Sequence, residues 1–155
     1  MILHCDGAAR GNPGPAGIGV VIADAGGTVL AEIAEGIGVA TNNVAEYTAA
    51  LRGLERAREL GASKVLLRSD SRLLVEQLAG RYRVKNPTLQ RLHAEVRSVA
   101  ASFEGITYEH VPRTRNADAD RLANDGVDAW LAGDGASWTR PPPRPARPEV
   151  EGEPR

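Results

Sequence analysis

The sequence is poor in the features that would place it outside the cytoplasm or in a membrane. It has one cysteine, Cys5, which excludes an internal disulfide and is typical of a reducing compartment. No apolar run reaches the length of a membrane span, and residues 1–6 lack the basic region and apolar core of a signal peptide. We therefore expect a cytoplasmic protein that makes no contact with membranes.

The chain also has few lysines and almost no net charge. Lysine supplies 2 of the 19 basic residues, and the formal net charge is -1 at pH 7. Arginine suits phosphate contacts because its planar fork binds two oxygens at once. A biased genome composition explains the arginine content equally well, and we take that simpler interpretation first. A balanced total can still hide a charged binding face, so the net charge identifies no partner.

Apolar runs and turn-forming residues divide most of the chain into alternating strands and helices. The runs predict strands at 2–5, 16–23, 28–36, 64–69 and 106–111. Apolar residues at steps of three and four predict four helices: one from an N-cap at Asn43 to a stop at Gly61, then 71–79, one starting at Pro87, and 118–131. The order βββαβααβα predicts an α/β fold with a five-stranded mixed sheet, three strands antiparallel and two parallel, flanked by helices.

The end of the chain differs in composition from the rest. Six of the ten prolines follow Arg140, interleaved with arginine. Such a segment cannot bury a core, and a tail is a simpler interpretation than a linker to a second domain. We expect one domain over residues 1–135, which is long enough for a proper core, and a disordered Pro/Arg-rich tail over 136–155.

Four acids stand near the ends of the predicted elements. Asp70 follows the strand at 64–69, at the edge where α/β sheets bind ligands, and the others are Asp6, Glu46 and Asp120. If the first and fourth strands are neighbours, Asp6 and Asp70 lie side by side, with Glu46 on the helix packed across them. Clustered carboxylates repel one another and raise their pKa values. A pair of Mg²⁺ ions about 3.5–4 Å apart would relieve that repulsion and hold both oxygens of a reacting phosphodiester.

Each acid also has a purely structural interpretation. Asp6 before Gly7 is a turn pattern, and Glu46 could pair with Asn43 in a capping box. Asp120 suits the positive end of a helix dipole, and Asp70 suits the N-cap of the helix that follows it. For each acid alone the two interpretations are evenly matched. Their joint placement beside one crevice favours a functional site.

The acids fall within four short motifs that occur in order along the chain. These are Asp6-Gly7 with Gly11-Asn12-Pro13-Gly14-Pro15-Ala16-Gly17, then Thr41-Asn42-Asn43-Val44-Ala45-Glu46-Tyr47, then Ser69-Asp70-Ser71, and finally Asn116-Ala117-Asp118-Ala119-Asp120-Arg121-Leu122-Ala123-Asn124. Together they resemble the type 1 ribonuclease H family over residues 1–132, most of all its bacterial and archaeal subgroup with Val111-Pro112-Arg113 before the last acid. The resemblance implies two Mg²⁺ (or Mn²⁺) ions, with Asp6 bridging both, Glu46 and Asp70 holding one, and Asp120 holding the other.

Two positions leave alternatives open. Asp118 competes with Asp120 as the fourth acid, and the spacing Asn116-x-x-x-Asp120-x-Leu122-Ala123 favours Asp120. Many members of the family use a mobile His in the loop before that acid. In this chain His110 falls inside a strand pattern, so we expect Arg113 to be the catalytic loop residue, as in the similar subgroup.

The resemblance also implies contacts that recognise the shape and 2′-hydroxyls of an RNA–DNA hybrid without reading its sequence. The predicted residues are Gly11, Asn12, Asn42 and Asn43, with Thr41 and Asn42 as a phosphate pocket and Arg72 where many relatives carry Gln. A local surplus of basic residues predicts phosphate contacts in the following loop, at Arg81, Arg83, Lys85 and Asn86. Arg91 and Arg97 on the next helix fit a solvated face. Binding is expected to be modest and sensitive to salt.

We expect a monomeric endoribonuclease that hydrolyses the RNA strand of RNA–DNA hybrids and leaves 5′-phosphate and 3′-hydroxyl ends. One alternative is a related nuclease that also cuts double-stranded RNA, an activity associated with some members of the similar subgroup. Another is a module that binds hybrids without cutting them. The four acids argue against such a module, because binding alone would gain from losing their repulsion.

Overall fold

The structure, a computed structural model, describes residues 1–133, so the predicted tail at 136–155 lies outside the described residues and the boundary at 135 stays a prediction. The elements are β1 (Ile2–Ala9), β2 (Gly14–Ala23), β3 (Val29–Ala40), α1 (Asn42–Glu59), β4 (Lys64–Ser69), α2 (Arg72–Leu78), α3 (Pro87–Ala100), β5 (Gly105–His110) and α4 (Ala117–Ala132). A turn of 3-10 helix, Arg113–Arg115, precedes α4. The predicted order βββαβααβα is confirmed.

The five strands form one mixed sheet in the order β3-β2-β1-β4-β5. The pairs β1–β2 and β2–β3 are antiparallel, whereas β1–β4 and β4–β5 are parallel. This is the predicted α/β arrangement. The parallel pairing of β1 with β4 ends at Cys5 and Ser69, which face each other in register. Asp6 and Asp70 therefore follow two paired residues, at the point where the neighbouring strands separate.

Helices pack on both faces of the sheet. Helix α1 packs on β1 and β2 and contacts α3, and α4 packs on the opposite face against β1, β2 and β3. The fully buried Leu3, Cys5 and Val20 lie on the α1 side beneath Gly53. Burial raises the pKa of the Cys5 thiol, so Cys5 is a neutral core residue rather than a reactive one.

Two glycines of β2 let α4 rest directly on the sheet. A Cβ on Gly19 would overlap the carbonyl oxygen of Ala119, and one on Gly17 would overlap that of Ala123. Only a residue without a side chain permits this close approach of helix and strand backbones. The height of the first turns of α4 above the sheet, and with it the position of Asp120, is thus set by β2.

Several predicted boundaries are wrong. Strand β3, for example, continues to Ala40 and not only to residue 36, and two of the errors lie beside the acids. Strand β1 was expected to end at residue 5, but it continues to Ala9 because β2 pairs with it as far as Ala9 and Ala16. Helix α1 is capped by Thr41, whose Oγ1 accepts the Val44 N–H at 3.2 Å, and not by Asn43, which already lies inside the helix. The predicted start at Pro87 is confirmed for α3, with Asn86 as its N-cap. Within residues 1–133 no helix has the length and apolar character needed to cross a membrane.

Candidate active site

Asp6 is a buried acid in the middle of the sheet. Asp6 is 4% exposed and follows the last residue of β1 that pairs with β4. On the other side of β1 the pairing with β2 continues, and Asp6 pairs with Gly19. The strand continues through it, and the turn interpretation of Asp6-Gly7 is therefore wrong. The next residue, Gly7, lies against α1, and a Cβ there would overlap the backbone of Ala45 and Glu46.

Glu46 is drawn into the site by this close approach of β1 and α1. It is 6% exposed, and its Oε1 accepts the backbone N–H of Gly7 at 2.9 Å. Because α1 begins at Asn42, Glu46 lies in the second turn of the helix. Its carboxylate accepts a hydrogen bond from Gly7 in β1 and not from the start of its own helix. The capping-box interpretation with Asn43 is thus wrong. Sequence reasoning quoted Gly7 only as part of a motif and missed this role.

Asp70 lies in the short connection between β4 and α2. The N-cap of α2 is Ser71, whose Oγ accepts the Leu74 N–H at 3.2 Å, so the interpretation of Asp70 as that cap is wrong. The Ser71 N–H in turn donates to Ser69 Oγ at 3.0 Å, which fixes the backbone on both sides of Asp70. The Asp70 carboxylate lies near those of Asp6 and Glu46.

Three of the four predicted acids meet in one cluster. Asp6, Glu46 and Asp70 each offer a carboxylate oxygen, and these three oxygens all lie within 4.8 Å of one another. Carboxylate oxygens are the hard donors that Mg²⁺ and Mn²⁺ prefer. The donor set and its spacing fit a divalent cation.

Asp120 stands at the edge of this cluster. It lies in the first turn of α4, its side chain is hydrogen-bonded to that of Asp6, and its backbone N–H donates to the Asn116 carbonyl at 3.1 Å. Asp118 instead faces outward, with its side chain 78% exposed and 3.8 Å from Arg121. The geometry places Asp120, and not Asp118, beside the other acids.

The electrostatics of the cluster are those of carboxylates crowded out of water. Burial, then repulsion by Glu46 and a hydrogen bond that the protonated Asp6 donates to Asp120, raise the pKa of Asp6 to about 9. Burial and the charges of Asp70 and Asp120 raise the pKa of Glu46 to about 8, although the Gly7 N–H and Arg113 oppose the rise. Without a cation these two groups hold protons at neutral pH. A bound cation would replace those protons.

Asn116 ties α4 to the acidic strand. Its side chain is 1% exposed, and Nδ2 donates to the carbonyl of Cys5, the residue before Asp6, at 2.9 Å. Among the described residues its Oδ1 is the one buried side-chain polar atom without a partner. Sequence reasoning used Asn116 only to set the spacing to Asp120. Its contact with β1 could not be read from that spacing.

The two candidates for the loop residue occupy different positions. Arg113 is exposed in the 3-10 turn before α4. Its positive charge acts on Glu46 and opposes the overall rise in the pKa of that carboxyl. His110 is the last residue of β5 and pairs in register with Ser69. Arg113 is thus the candidate whose charge acts on one of the clustered acids.

The predicted hybrid-binding residues lie in two groups. In the first, Gly11 has a positive φ of 103°, and Asn12 Oδ1 accepts the Asn42 N–H at 3.0 Å, so the β1–β2 turn is joined to the start of α1 beside Thr41 and Asn43. In the second, Arg72 and Arg81 both pair with Glu76, while Arg83 and Lys85 are exposed in the loop between α2 and α3. Asn86 Oδ1 accepts the Leu89 N–H at 3.1 Å as the α3 cap.

Comparison with known proteins gives consistent matches. A family model described as reverse transcriptase-like matches residues 4–126. The chain is 51% identical over 130 residues to a bifunctional protein of Mycobacterium tuberculosis, a match that covers 83% of this chain and 36% of that protein. It is 43% identical over 125 residues to the ribonuclease HI of Halobacterium salinarum, covering 81% of this chain and 63% of that one. The chain thus spans about a third of the mycobacterial protein and under two thirds of the halophilic one.

Solved structures agree in fold. The RNase H1 of Halobacterium salinarum superimposes with a TM-score of 0.81 at 41% identity, with 83% of this chain and 97% of that chain covered. LC11-RNase H1 in complex with an RNA/DNA hybrid superimposes with a TM-score of 0.80 at 44% identity, with coverage of 84% and 98%. Both likenesses extend over nearly the whole of the other chain.

Proposed function

This chain belongs to the ribonuclease H family, and on that premise we propose that it is a divalent-metal-dependent endoribonuclease that hydrolyses the RNA strand of RNA–DNA hybrids. The observation that carries the proposal is the cluster of Asp6, Glu46 and Asp70, whose oxygens lie within 4.8 Å of one another. A fold that crowds three carboxylates in this way, at a cost in repulsion, gains from it when a cation binds. The hybrid in complex with LC11-RNase H1 supports the same substrate class for this chain.

We assign Asp6, Glu46, Asp70 and Asp120 as the ligands of two Mg²⁺ or Mn²⁺ ions. Asp6 would be shared by both ions, Glu46 and Asp70 would complete one site, and Asp120 would contribute to the other. When bound, such a pair activates a water for attack on the phosphodiester and neutralises charge on the leaving oxygen. The expected products carry 5′-phosphate and 3′-hydroxyl ends.

The chain's own groups orient these ligands. The Gly7 N–H fixes one oxygen of Glu46 and leaves the other for a cation. Asn116 holds the backbone before Asp6, and its carbonyl holds the backbone of Asp120, so one residue sets the separation of two ligands. Arg113, whose charge reaches Glu46, is the group we propose to help the product leave.

Hybrid binding needs contacts to both strands. The turn at Gly11 and Asn12 and the start of α1 at Asn42 and Asn43 lie together, where they could bond sugars and base edges in the minor groove. The exposed basic loop, residues 81–86, would contact phosphates of the other strand. A few such contacts give modest, salt-sensitive affinity.

Digestion of an end-labelled hybrid tests the proposal. We expect cleavage of the RNA strand with Mg²⁺ or Mn²⁺, none with EDTA, and none with Asp70→Asn. Asp118→Asn is the matched control, because it removes an exposed carboxylate from the start of α4 and should leave cleavage unchanged. Equal cleavage of a matched RNA duplex would identify the broader nuclease instead. Hybrid binding without cleavage under either metal would establish a binding module.

A further inference from the structure

The buried amide of Gln77 joins three parts of the fold. Gln77 is in α2 and is 6% exposed. Its Oε1 accepts a hydrogen bond from the Tyr47 hydroxyl at 2.6 Å, and its Nε2 donates to the carbonyl of Arg83 at 3.0 Å. Its own carbonyl lies 3.1 Å from Nε2 of His93 on α3. A buried amide with these partners holds one defined geometry, because an unmade bond there is costly.

One end of this connection is next to the acidic cluster. Tyr47 directly follows Glu46 in α1 and is 1% exposed. Burial raises the pKa of the Tyr47 hydroxyl to about 12, so it remains a proton donor at any physiological pH. The ring also contacts His93 edge to face, with centroids 6.4 Å apart. Helix α1 therefore positions both Glu46 and the Tyr47 hydroxyl that bonds Gln77.

The other end is the middle of the basic loop. Arg83 stands between Arg81 and Lys85, and all three side chains are exposed. The loop starts on α2, where the N–H groups of Arg81 and Tyr82 donate to the Glu76 carbonyl at 2.9 and 3.2 Å. Beyond that point two backbone carbonyls of the loop accept hydrogen bonds from side chains. The Arg83 carbonyl accepts from the buried Gln77, and the Val84 carbonyl accepts from the exposed Gln90 at 2.9 Å. Gln77 is thus the interior support of the segment that carries the phosphate-binding charges.

We infer that Gln77 is a positioning residue for the substrate: it fixes the distance between the basic loop and the acids, so that phosphates held by the loop place the RNA strand at Asp6, Glu46 and Asp70. The inference rests on the proposed function. Gln77 and Tyr47 touch no substrate themselves. They act through Arg83 and its neighbours.

The experiment is a double-mutant cycle read by hybrid cleavage and by hybrid affinity. Tyr47→Phe removes the hydroxyl and keeps the ring, and Gln77→Ala removes both side-chain bonds. We expect each change to raise both KM and Kd for the hybrid, by about 3-fold in Tyr47→Phe and about 10-fold in Gln77→Ala. At saturation kcat should stay within about twofold of wild type, because a displaced loop loses phosphate contacts that hold the hybrid equally in the ground state and the transition state. In a chain whose loop is already neutralised (Arg81, Arg83 and Lys85 all changed to Ala), the same two changes should add almost nothing.

Thr48→Val is the matched control. It also removes one hydroxyl from α1, but that hydroxyl bonds the Val44 carbonyl at 2.7 Å within the helix. Its KM and Kd should equal those of wild type. Wild-type KM and Kd in Tyr47→Phe, or full additivity with the loop changes, would overturn the inference, and Tyr47→Phe decides it even if Gln77→Ala fails to fold. If wild type binds hybrids but does not cut them, the proposed function fails, and the same cycle read on Kd still decides the role of Gln77.

Discussion

The backbone N–H of Gly7 donates a 2.9 Å hydrogen bond to Oε1 of Glu46, and this bond joins α1 to the strand that carries Asp6. It forms only because Gly7 has no side chain, since a Cβ there would overlap the backbone at Ala45 and Glu46. The relative position of Asp6 and Glu46 consequently depends on this one contact between β1 and α1. Their separation depends on how closely helix and strand can approach.

Gly7→Ala should therefore inactivate the enzyme without touching any acid. The added methyl group must push α1 from β1 and move Glu46 away from Asp6, and a displacement of about 1 Å can cost about 100-fold in rate. We also expect a loss of about 1–3 kcal/mol in the free energy of unfolding, as overpacking causes. The measurements are kcat on a hybrid and urea unfolding.

Gly105→Ala is the control for that change. Its Cβ would meet nothing closer than Lys64 Cγ at 3.8 Å, an ordinary contact. This variant should keep wild-type kcat and stability. Wild-type kcat in Gly7→Ala would show that the close approach of α1 and β1 is not needed for catalysis.

The pH dependence of stability should reveal the crowded acids. In the folded, metal-free chain the pKa of Asp6 is about 9 and that of Glu46 about 8, against ordinary values of 3.8 and 4.5. Between these limits the folded state binds more protons than the unfolded state, so the free energy of unfolding decreases as pH rises. In EDTA we expect Tm to fall steadily from mildly acidic to alkaline pH. Excess Mg²⁺ should restore it most at alkaline pH, where no proton competes.

Asp6→Asn isolates the source of this effect. Removing the buried charge should raise Tm in EDTA at alkaline pH and abolish most of the gain from Mg²⁺. Asp118→Asn, at an exposed position, should follow wild type at every pH. A wild-type Tm that is constant in EDTA over this range would contradict the raised pKa values.

The basic loop should account for much of the salt dependence of binding. Changing Arg83 and Lys85 to Ala should weaken hybrid affinity and lower the slope of log Kd against log salt by about 1 for each phosphate that the loop no longer neutralises. Changing Arg91 and Arg97 to Ala removes the same charge from the exposed face of α3 and should leave the slope nearly unchanged. Equal effects of the two pairs would mean that the loop contributes only general positive charge.

Arg113 and His110 can be separated by single-turnover and steady-state rates. If Arg113 helps the product leave, Arg113→Ala should lower kcat by about 10-fold with little change in the single-turnover rate. His110→Ala should leave both rates near wild type. The opposite result would identify His110 as the loop residue and reject the interpretation from the similar subgroup.

The parts of the fold that sequence predicted well are those fixed by local chemistry. Strand β4 was predicted with its observed limits because turn formers bound its apolar run, and α3 was predicted from its start because Asn86 and Pro87 cap and initiate it. The end of β1 was not predictable in this way. Asp6 continues the strand only because β2 extends beyond it as a partner.

The positions of the acids were partly predictable and their supports were not. From the sequence, Asp6 and Asp70 were neighbours only on the condition that the first and fourth strands are adjacent, and the pairing of Cys5 with Ser69 meets that condition. The bonds that orient them arise from tertiary contacts between residues far apart in sequence, such as Asn116 with the Cys5 carbonyl. Gln77 gave no signal either, because a glutamine in a short helix is usually a surface residue.

The bond from Asn116 to Cys5 spans 111 positions of sequence. A ribosome-bound chain whose last helix has not emerged can already possess Asp6, Glu46 and Asp70, yet it lacks both Asp120 and the tether that places it. On the proposed function, cleavage activity would therefore appear only once α4 has been made, and it would report that both ends of the domain have met.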